Sequence, residues 1–154
     1  MEYFSSAKRG TLLDLGAGQG RDSIPLSKMN YDVTAVDISS VGIEQIKKLE
    51  PSVNAVVSDL YSFDVSGYDY ILLDSIVHFY KRDMEKETKL IQHILNHMDT
   101  GTTLINCLLK NKRAETILKE IIKEFNTQVI QENYIDYPDF GAEYHMYIIA
   151  KESD

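Results

Sequence analysis

The sequence predicts an α/β fold: a doubly wound, seven-stranded sheet, mostly parallel, with an antiparallel C-terminal strand. Three observations carry this expectation. Apolar and β-branched runs alternate with helical patterns almost from end to end of the 154 residues, as right-handed βαβ crossovers require. An apolar run at Thr11–Leu15 leads straight into a turn with three alternate glycines, Gly16, Gly18 and Gly20. Finally, only about nine residues, Ile135 to Glu143, separate the last two strand-like runs. That is too few for a crossover helix and enough for a hairpin loop.

Taken in order, strands are expected at Thr11–Leu15, Val33–Val36, Asn54–Val57, Tyr68–Leu73, Thr102–Leu109, Gln128–Tyr134 and Tyr144–Lys151. The middle strands are nearly continuous in apolar content, as when helices cover both faces of a sheet. The last alternates, Tyr144-His-Met-Tyr-Ile-Ile-Ala, as a strand with one packed face does. Helices are expected at Arg21–Met29, Gly42–Leu49, Met84–Met98 and Arg113–Phe125. There is no internal repeat, linker or low-complexity segment, so residues 1–154 read as a single domain with a very short segment before the first strand.

Composition narrows the function classes. Hydrophobic residues make up 44% and charged residues 26%, with a formal net charge of −8. An acidic surface argues against a nucleic-acid partner, which needs clustered Lys and Arg. The densest basic runs, Lys81-Arg82 and Lys110-Asn-Lys112-Arg113, read as solvated helix starts. No run reaches the ~18 apolar residues of a membrane span, and the first ten residues lack the apolar core of a signal peptide. The single cysteine, Cys107, can form no intrachain disulfide and reads as a small core residue. A cytoplasmic location is therefore expected, without a membrane partner.

The glycine turn carries the chemistry. Glycine lets the backbone bend sharply and approach a ligand, because no Cβ intervenes. A following helix at Arg21–Met29 would aim its free N–H groups into the same turn. A dinucleotide fingerprint reads G-x-G-x-x-G, whereas here the pattern is Asp14-x-Gly16-x-Gly18-x-Gly20. A carboxylate at the mouth would repel a pyrophosphate and suit a cationic head.

Asp37 ends the second strand 17 positions beyond Gly20, and Asp59 ends the third 22 residues later. Asp37 can accept hydrogen bonds from two ribose hydroxyls or cap the next helix; Asp59 can equally be a turn aspartate. Tyr68-Asp-Tyr-Ile-Leu-Leu-Asp74-Ser75 supplies a fourth acidic strand tip.

These four stations, in this order, resemble those of the class I S-adenosylmethionine-dependent methyltransferases. The details look closest to the small-molecule tellurite-resistance and thiopurine-type branch, or to methyltransferase types 11 and 12. The resemblance covers nearly the whole chain and implies a Rossmann-like domain, S-adenosyl-L-methionine as cofactor, and methyl transfer to a small-molecule acceptor. It implies cofactor contacts from Asp14, Gly16, Ala17, Gly18, Gln19, Gly20 and Arg21. Asp37 with Ile38, Asp59 with Leu60, and Asp74 with Ser75 would complete them. Asp59 would meet the adenine amino group, while Gln19 and Arg21 would reach the cofactor carboxylate. Arg21 can also be read as a plain surface cation.

Candidate catalytic residues are Asp74 and His78, four apart, which a helical turn would bring to one side as an aspartate-oriented base. A structural hydrogen bond is the other reading. His78, Tyr80, Tyr144 and His145 are candidates for the acceptor pocket, and the loop Asp136–Gly141 for its cover. His93 and His97 have ligand spacing on the Met84–Met98 helix, but no carboxylate or cysteine completes a site, so no metal is expected.

Relatives of this kind carry one or two helices ahead of the first strand, where this sequence has only Met1–Gly10. An open pocket, a shortened chain, or a homodimer or partner protein covering the cofactor face would each account for that. Two rival functions stand beside the enzyme. One is a cofactor-binding module with little activity until a partner completes its pocket. The other is an NAD(P)-dependent oxidoreductase, which the glycine spacing and the terminal hairpin disfavour.

Overall fold

The structure, a computed structural model, describes residues 2–137 and 142–151. The elements run α1 (Glu2–Ser6), β1 (Thr11–Leu15), α2 (Ser23–Lys28), β2 (Asp32–Asp37), α3 (Ser40–Leu49), β3 (Asn54–Val57) and β4 (Tyr70–Asp74). They continue with α4 (Met84–His97), β5 (Thr103–Leu109), α5 (Lys112–Lys123), β6 (Thr127–Tyr137) and β7 (Ala142–Lys151). The seven strands form one sheet in the order β3-β2-β1-β4-β5-β7-β6. Pairs from β3 to β5 are parallel, and β7 runs antiparallel to both β5 and β6. This is the mostly parallel, hairpin-terminated sheet expected from the sequence.

Strand alternation sorts side chains into two apolar layers. Leu13, Leu15, Ile71, Leu73, Leu104 and Tyr147 face α4 and α5, where Leu90, Ile94, Leu118 and Ile122 meet them. Leu12, Val33, Ala35, Ile105, Met146 and Ile148 face α1, α2 and α3, against Phe4, Leu26, Ile43 and Ile46. By the same alternation Asp14 and Asp74, two residues beyond Leu12 and Leu72 on their strands, point to the α1–α3 side. The polar tip of the sheet is thus aimed by the same register that builds its core.

Helix boundaries follow their caps. Ser39 accepts a hydrogen bond from the Gly42 amide, so α3 begins two residues before the expected Gly42. Asn111 does the same for Ala114 at the start of α5. Residues 20–22 stay in the glycine turn, so α2 starts at Ser23 and not at Arg21.

One α-helix lies outside those expected from the sequence. The five-residue helix α1 buries Phe4 edge-on against Tyr31 and Tyr70 at ring distances of 5.4 and 5.8 Å. The Tyr31 hydroxyl donates to the Phe4 carbonyl, and the Arg9 guanidinium gathers carbonyls of Phe4, Ala7 and Met29. Because Tyr31 precedes β2 and Tyr70 opens β4, this aromatic plug sits at the amino end of the sheet, opposite the glycine turn. Among the described residues no helix is long and apolar enough to cross a membrane.

Candidate cofactor and acceptor site

At the carboxyl end of β1 the sheet changes winding direction, with β2 on one side and β4 on the other. Ligands of open α/β sheets bind at such a switch point. Here the turn Gly16–Gly20 passes over the sheet edge with φ of 84°, 58° and 92° at its three glycines. The amides of Gly16 and Ala17 both donate to the Val36 carbonyl, at 2.8 and 3.0 Å. A side chain at Gly18 would meet nothing within 4 Å. That position opens onto free space.

Asp37 ties the turn to the next strand. Its carboxylate accepts from the Gly18 amide and from the Ser39 amide, each at 2.9 Å. Each oxygen keeps a lone pair for a further donor. Two apolar residues close after it in the chain are unusual for an acidic surface: Ile38 is 76% exposed and Val41, in the first turn of α3, 74%. Asp59 lies at an exposed turn after β3, where it accepts from the Tyr61 amide at 3.0 Å. Leu60, half-buried, follows it. An apolar margin interrupted by acceptors is what an aromatic base and its sugar would meet.

Behind the turn lies a cluster of acids. Asp14 is 2% exposed and accepts from the Ser23 hydroxyl at 2.5 Å. Burial lifts its carboxyl to about 6, with the negative charges of Asp74 and Asp37 adding to the shift and the Ser23 bond opposing it. Asp22 is raised as well, first by burial and then by a hydrogen bond to Asp74. Arg21 reaches Asp74 at 3.3 Å from a largely exposed position, and Ser75 bonds the other Asp74 oxygen at 3.2 Å. A cation placed beside these acids would favour their ionised forms again. Cys107 is the register partner of Asp74 on β5, and burial pushes its thiol up, so it stays protonated and inert.

The segment after β4 departs from expectation. No helical turn joins Asp74 to His78: Ser75 (φ 61°) lies in the left-handed region and no helix forms over residues 75–80, where Phe79 (φ 56°) is left-handed too. Asp74 faces Arg21 and Asp22, while the His78 ring Nε2 lies 3.1 Å from the Ser75 carbonyl. The expected Asp–His pairing is replaced by a backbone contact. Tyr80 is half exposed, and its ring lies 5.5 Å from that of His78.

His145 is not brought to this group. It shares the α4–α5 face of the sheet with Tyr147, opposite Asp74, where it contacts Glu115 and, at 3.3 Å, Glu132. Tyr144 is displaced by one residue in the alternation and lies beside Leu109 at the tip of β5. The expected acceptor cover, Asp136–Gly141, falls mainly on residues 138–141, outside the described residues. His93 and His97 each meet a backbone carbonyl, of Phe63 and His93. Among the described residues no cluster of three or more metal-ligating side chains occurs.

Three residues at the site were missed by sequence reading. Asp22 was absorbed into the expected helix Arg21–Met29. Gly42 was read only as a helix start, yet a Cβ there would stand 2.4 Å from the Gly18 carbonyl oxygen. Glu87 is a buried carboxylate in the first turn of α4 that accepts from the amides of His78 and Phe79. A glycine inside an otherwise ordinary helix was the one available signal.

A family model described as tellurite resistance protein TehB matches residues 2–137. The probable S-adenosyl-L-methionine-dependent methyltransferase TehB of Haemophilus influenzae is 32% identical over 95 residues, 58% of this chain and 32% of that protein. The cypemycin N-terminal methyltransferase of a Streptomyces species is 32% identical over 95 residues, 59% of this chain and 38% of its own length. The chain thus spans about a third of the length of these curated relatives.

Among solved structures, the Burkholderia thailandensis 1,6-didemethyltoxoflavin-N1-methyltransferase, with 1,6-didemethyltoxoflavin and S-adenosylhomocysteine bound, superposes with a TM-score of 0.78. The two are 17% identical, over 95% of this chain and 72% of that one. The Haemophilus influenzae TehB crystal structure gives 0.75 at 19% identity, over 98% and 60%. At such identities the likeness is one of fold. The family match, running from α1 through β6, makes this chain a member of the TehB family.

Proposed function

We propose that this protein is an S-adenosyl-L-methionine-dependent methyltransferase acting on a small-molecule acceptor. The observation that carries the reading is the Asp37 carboxylate locked to the Gly18 amide at the switch point of the sheet, beside the exposed apolar Ile38 and Val41. A ribose and an adenine need that combination: an acceptor pair held still, next to an apolar ledge. The buried Asp14 and Asp22 suit the cationic end of the same molecule.

In this reading Asp37 receives the ribose hydroxyls and Ile38 and Leu60 flank the base. Asp59 meets the adenine amino group. The turn from Asp14 to Arg21, with Asp74 and Ser75, surrounds the methionine portion. When bound, S-adenosylmethionine would supply an electrophilic methyl group, on a sulfonium that would leave as a neutral thioether, to a lone pair of the acceptor. The chain's own contribution is alignment and exclusion of water. The reading assigns His78 and Tyr80, on the loop after β4, and Tyr144 of β7 to the acceptor side.

The reading includes a cytoplasmic location, suited to a protein whose single cysteine is buried and unpaired. It also includes a second subunit or partner protein over the open face. The TehB name of the family and the methyltransferase names of the relatives support the reading.

Titration calorimetry with S-adenosylhomocysteine tests it. Micromolar binding with no response to NADH is the expected result, followed by methyl transfer to a member of a panel of thiols, amines, hydroxyls and metalloid oxyanions. Absence of binding by either adenosyl ligand overturns the reading. Binding with a silent panel would favour a cofactor-binding module.

A further inference from the structure

The loop from Ser75 to Tyr80 has no regular secondary structure, yet its shape is closely specified. Two of its non-glycine residues, Ser75 and Phe79, hold positive φ, which persists only where surrounding contacts over-determine it. Phe79 is fully buried, and both of its backbone polar groups are taken by side chains of different helices. Its amide donates to Glu87 Oε1 of α4 at 2.7 Å, and its carbonyl accepts from Arg113 Nη1 of α5 at 2.8 Å. The His78 amide donates to the same Glu87 oxygen at 3.1 Å. Glu87 is only 7% exposed. A buried carboxylate is a poor choice for packing alone, and here its bonds go to this loop.

The loop in turn orients the His78 ring. A carbonyl only accepts, so the 3.1 Å contact with the Ser75 oxygen places the ring hydrogen on Nε2. Nδ1 is then left with its lone pair. That atom is buried and has no hydrogen-bond partner among the described residues. The Tyr80 ring lies 5.5 Å away, tilted 30° from parallel.

We propose that Glu87 and Arg113 are positioning residues that grip Phe79 from two helices and so hold His78 as the Nε2–H tautomer, with its Nδ1 lone pair enclosed. The tautomer is a property of the protein alone; its use in turnover rests on the methyltransferase reading.

Two-bond proton–nitrogen NMR on the full chain labelled with 15N-histidine tests the proposal, the His78 signals being assigned with His78→Gln. The wild type should show the Nε2–H pattern. In Glu87→Ala and Arg113→Ala the pattern should move toward a tautomer mixture, while the S-adenosylhomocysteine dissociation constant stays within about threefold. Glu87→Gln and Arg113→Lys, each keeping part of the grip, should show smaller shifts in the same direction. Should the alanine variants fail to fold, those two conservative variants decide the matter. A wild-type Nδ1–H pattern, or unchanged His78 signals in the folded variants, overturns the proposal. A wild type that binds no adenosyl ligand but keeps the Nε2–H pattern would instead overturn the cofactor reading and leave the grip standing.

Discussion

Asp37 and Gly18 are joined by a 2.9 Å hydrogen bond from the glycine amide to the carboxylate, across the gap between the β1 turn and the tip of β2. The bond holds the carboxylate in one orientation before any ligand arrives. Asp37→Ala removes both this tie and the acceptor. Hydrogen bonds to a charged group are worth about 1.5–3 kcal/mol each, so S-adenosylhomocysteine affinity should fall by roughly 10- to 100-fold. Calorimetry reads the change directly, and an unchanged affinity would contradict the assignment of Asp37 to the ribose.

Gly42→Ala offers a cleaner paradox. Replacing a helical glycine with alanine ordinarily stabilises by about 0.4–1 kcal/mol. At this position the new methyl group would lie 2.4 Å from the Gly18 carbonyl oxygen, a backbone atom that cannot swing aside. Overpacking of this kind costs about 1–3 kcal/mol. Thermal denaturation should therefore show a lowered Tm, with a parallel loss of adenosyl-ligand affinity as the turn is displaced.

Asp14→Asn should separate stability from binding. The folded protein holds the Asp14 proton to about pH 6, against an ordinary value of 3.8. The folded state thus binds the proton more tightly than the unfolded chain. The contribution to stability is full below about pH 4 and is lost as pH rises through 6, a difference on the order of 3 kcal/mol. Asp22 is raised by burial and by Asp74 and acts in the same direction. An amide keeps the acceptor for Ser23 without the buried charge. The variant should melt higher than wild type at pH 7.5 and converge with it near pH 4, while binding the cationic cofactor more weakly. A wild-type curve that rises between pH 4 and 6 relative to the variant would refute this.

Phe4→Ala probes the opposite end of the sheet. Truncating a fully buried phenylalanine costs about 3–5 kcal/mol, which for a chain of this size lowers Tm by roughly 10 °C. Because Phe4 packs against Tyr31 and Tyr70 and not near the glycine turn, ligand affinity at low temperature should be unaltered.

Much of this architecture was legible in the chain. β1 and β3 fall where their apolar and β-branched runs end, because a short strand flanked by turn residues has few alternative boundaries. The acids at the strand tips were legible for the same reason: a strand's end fixes where its last side chain lies. Contacts that cross the sequence were not. Asp22 looks like a helix residue until Asp74, on another strand, stands next to it. Glu87 looks like a helix-surface acid until the loop before it folds back. α1 is too short to show a period, and its order comes from an aromatic cluster drawn from three segments. His145 shows how alternation informs only halfway. Its pattern says that Tyr144 and His145 face opposite ways, but only the pairing with Leu108 and the packing of α5 say which face is which.

The aromatic plug around Phe4 and the acid-lined turn stand at opposite ends of the same strands. Changes at sites this far apart, with no shared partners, combine additively. Variation at the mouth that weakens the fold can therefore be compensated at the plug without touching ligand recognition. A scaffold divided in this way can explore new acceptors while its tolerance for mutation is replenished elsewhere.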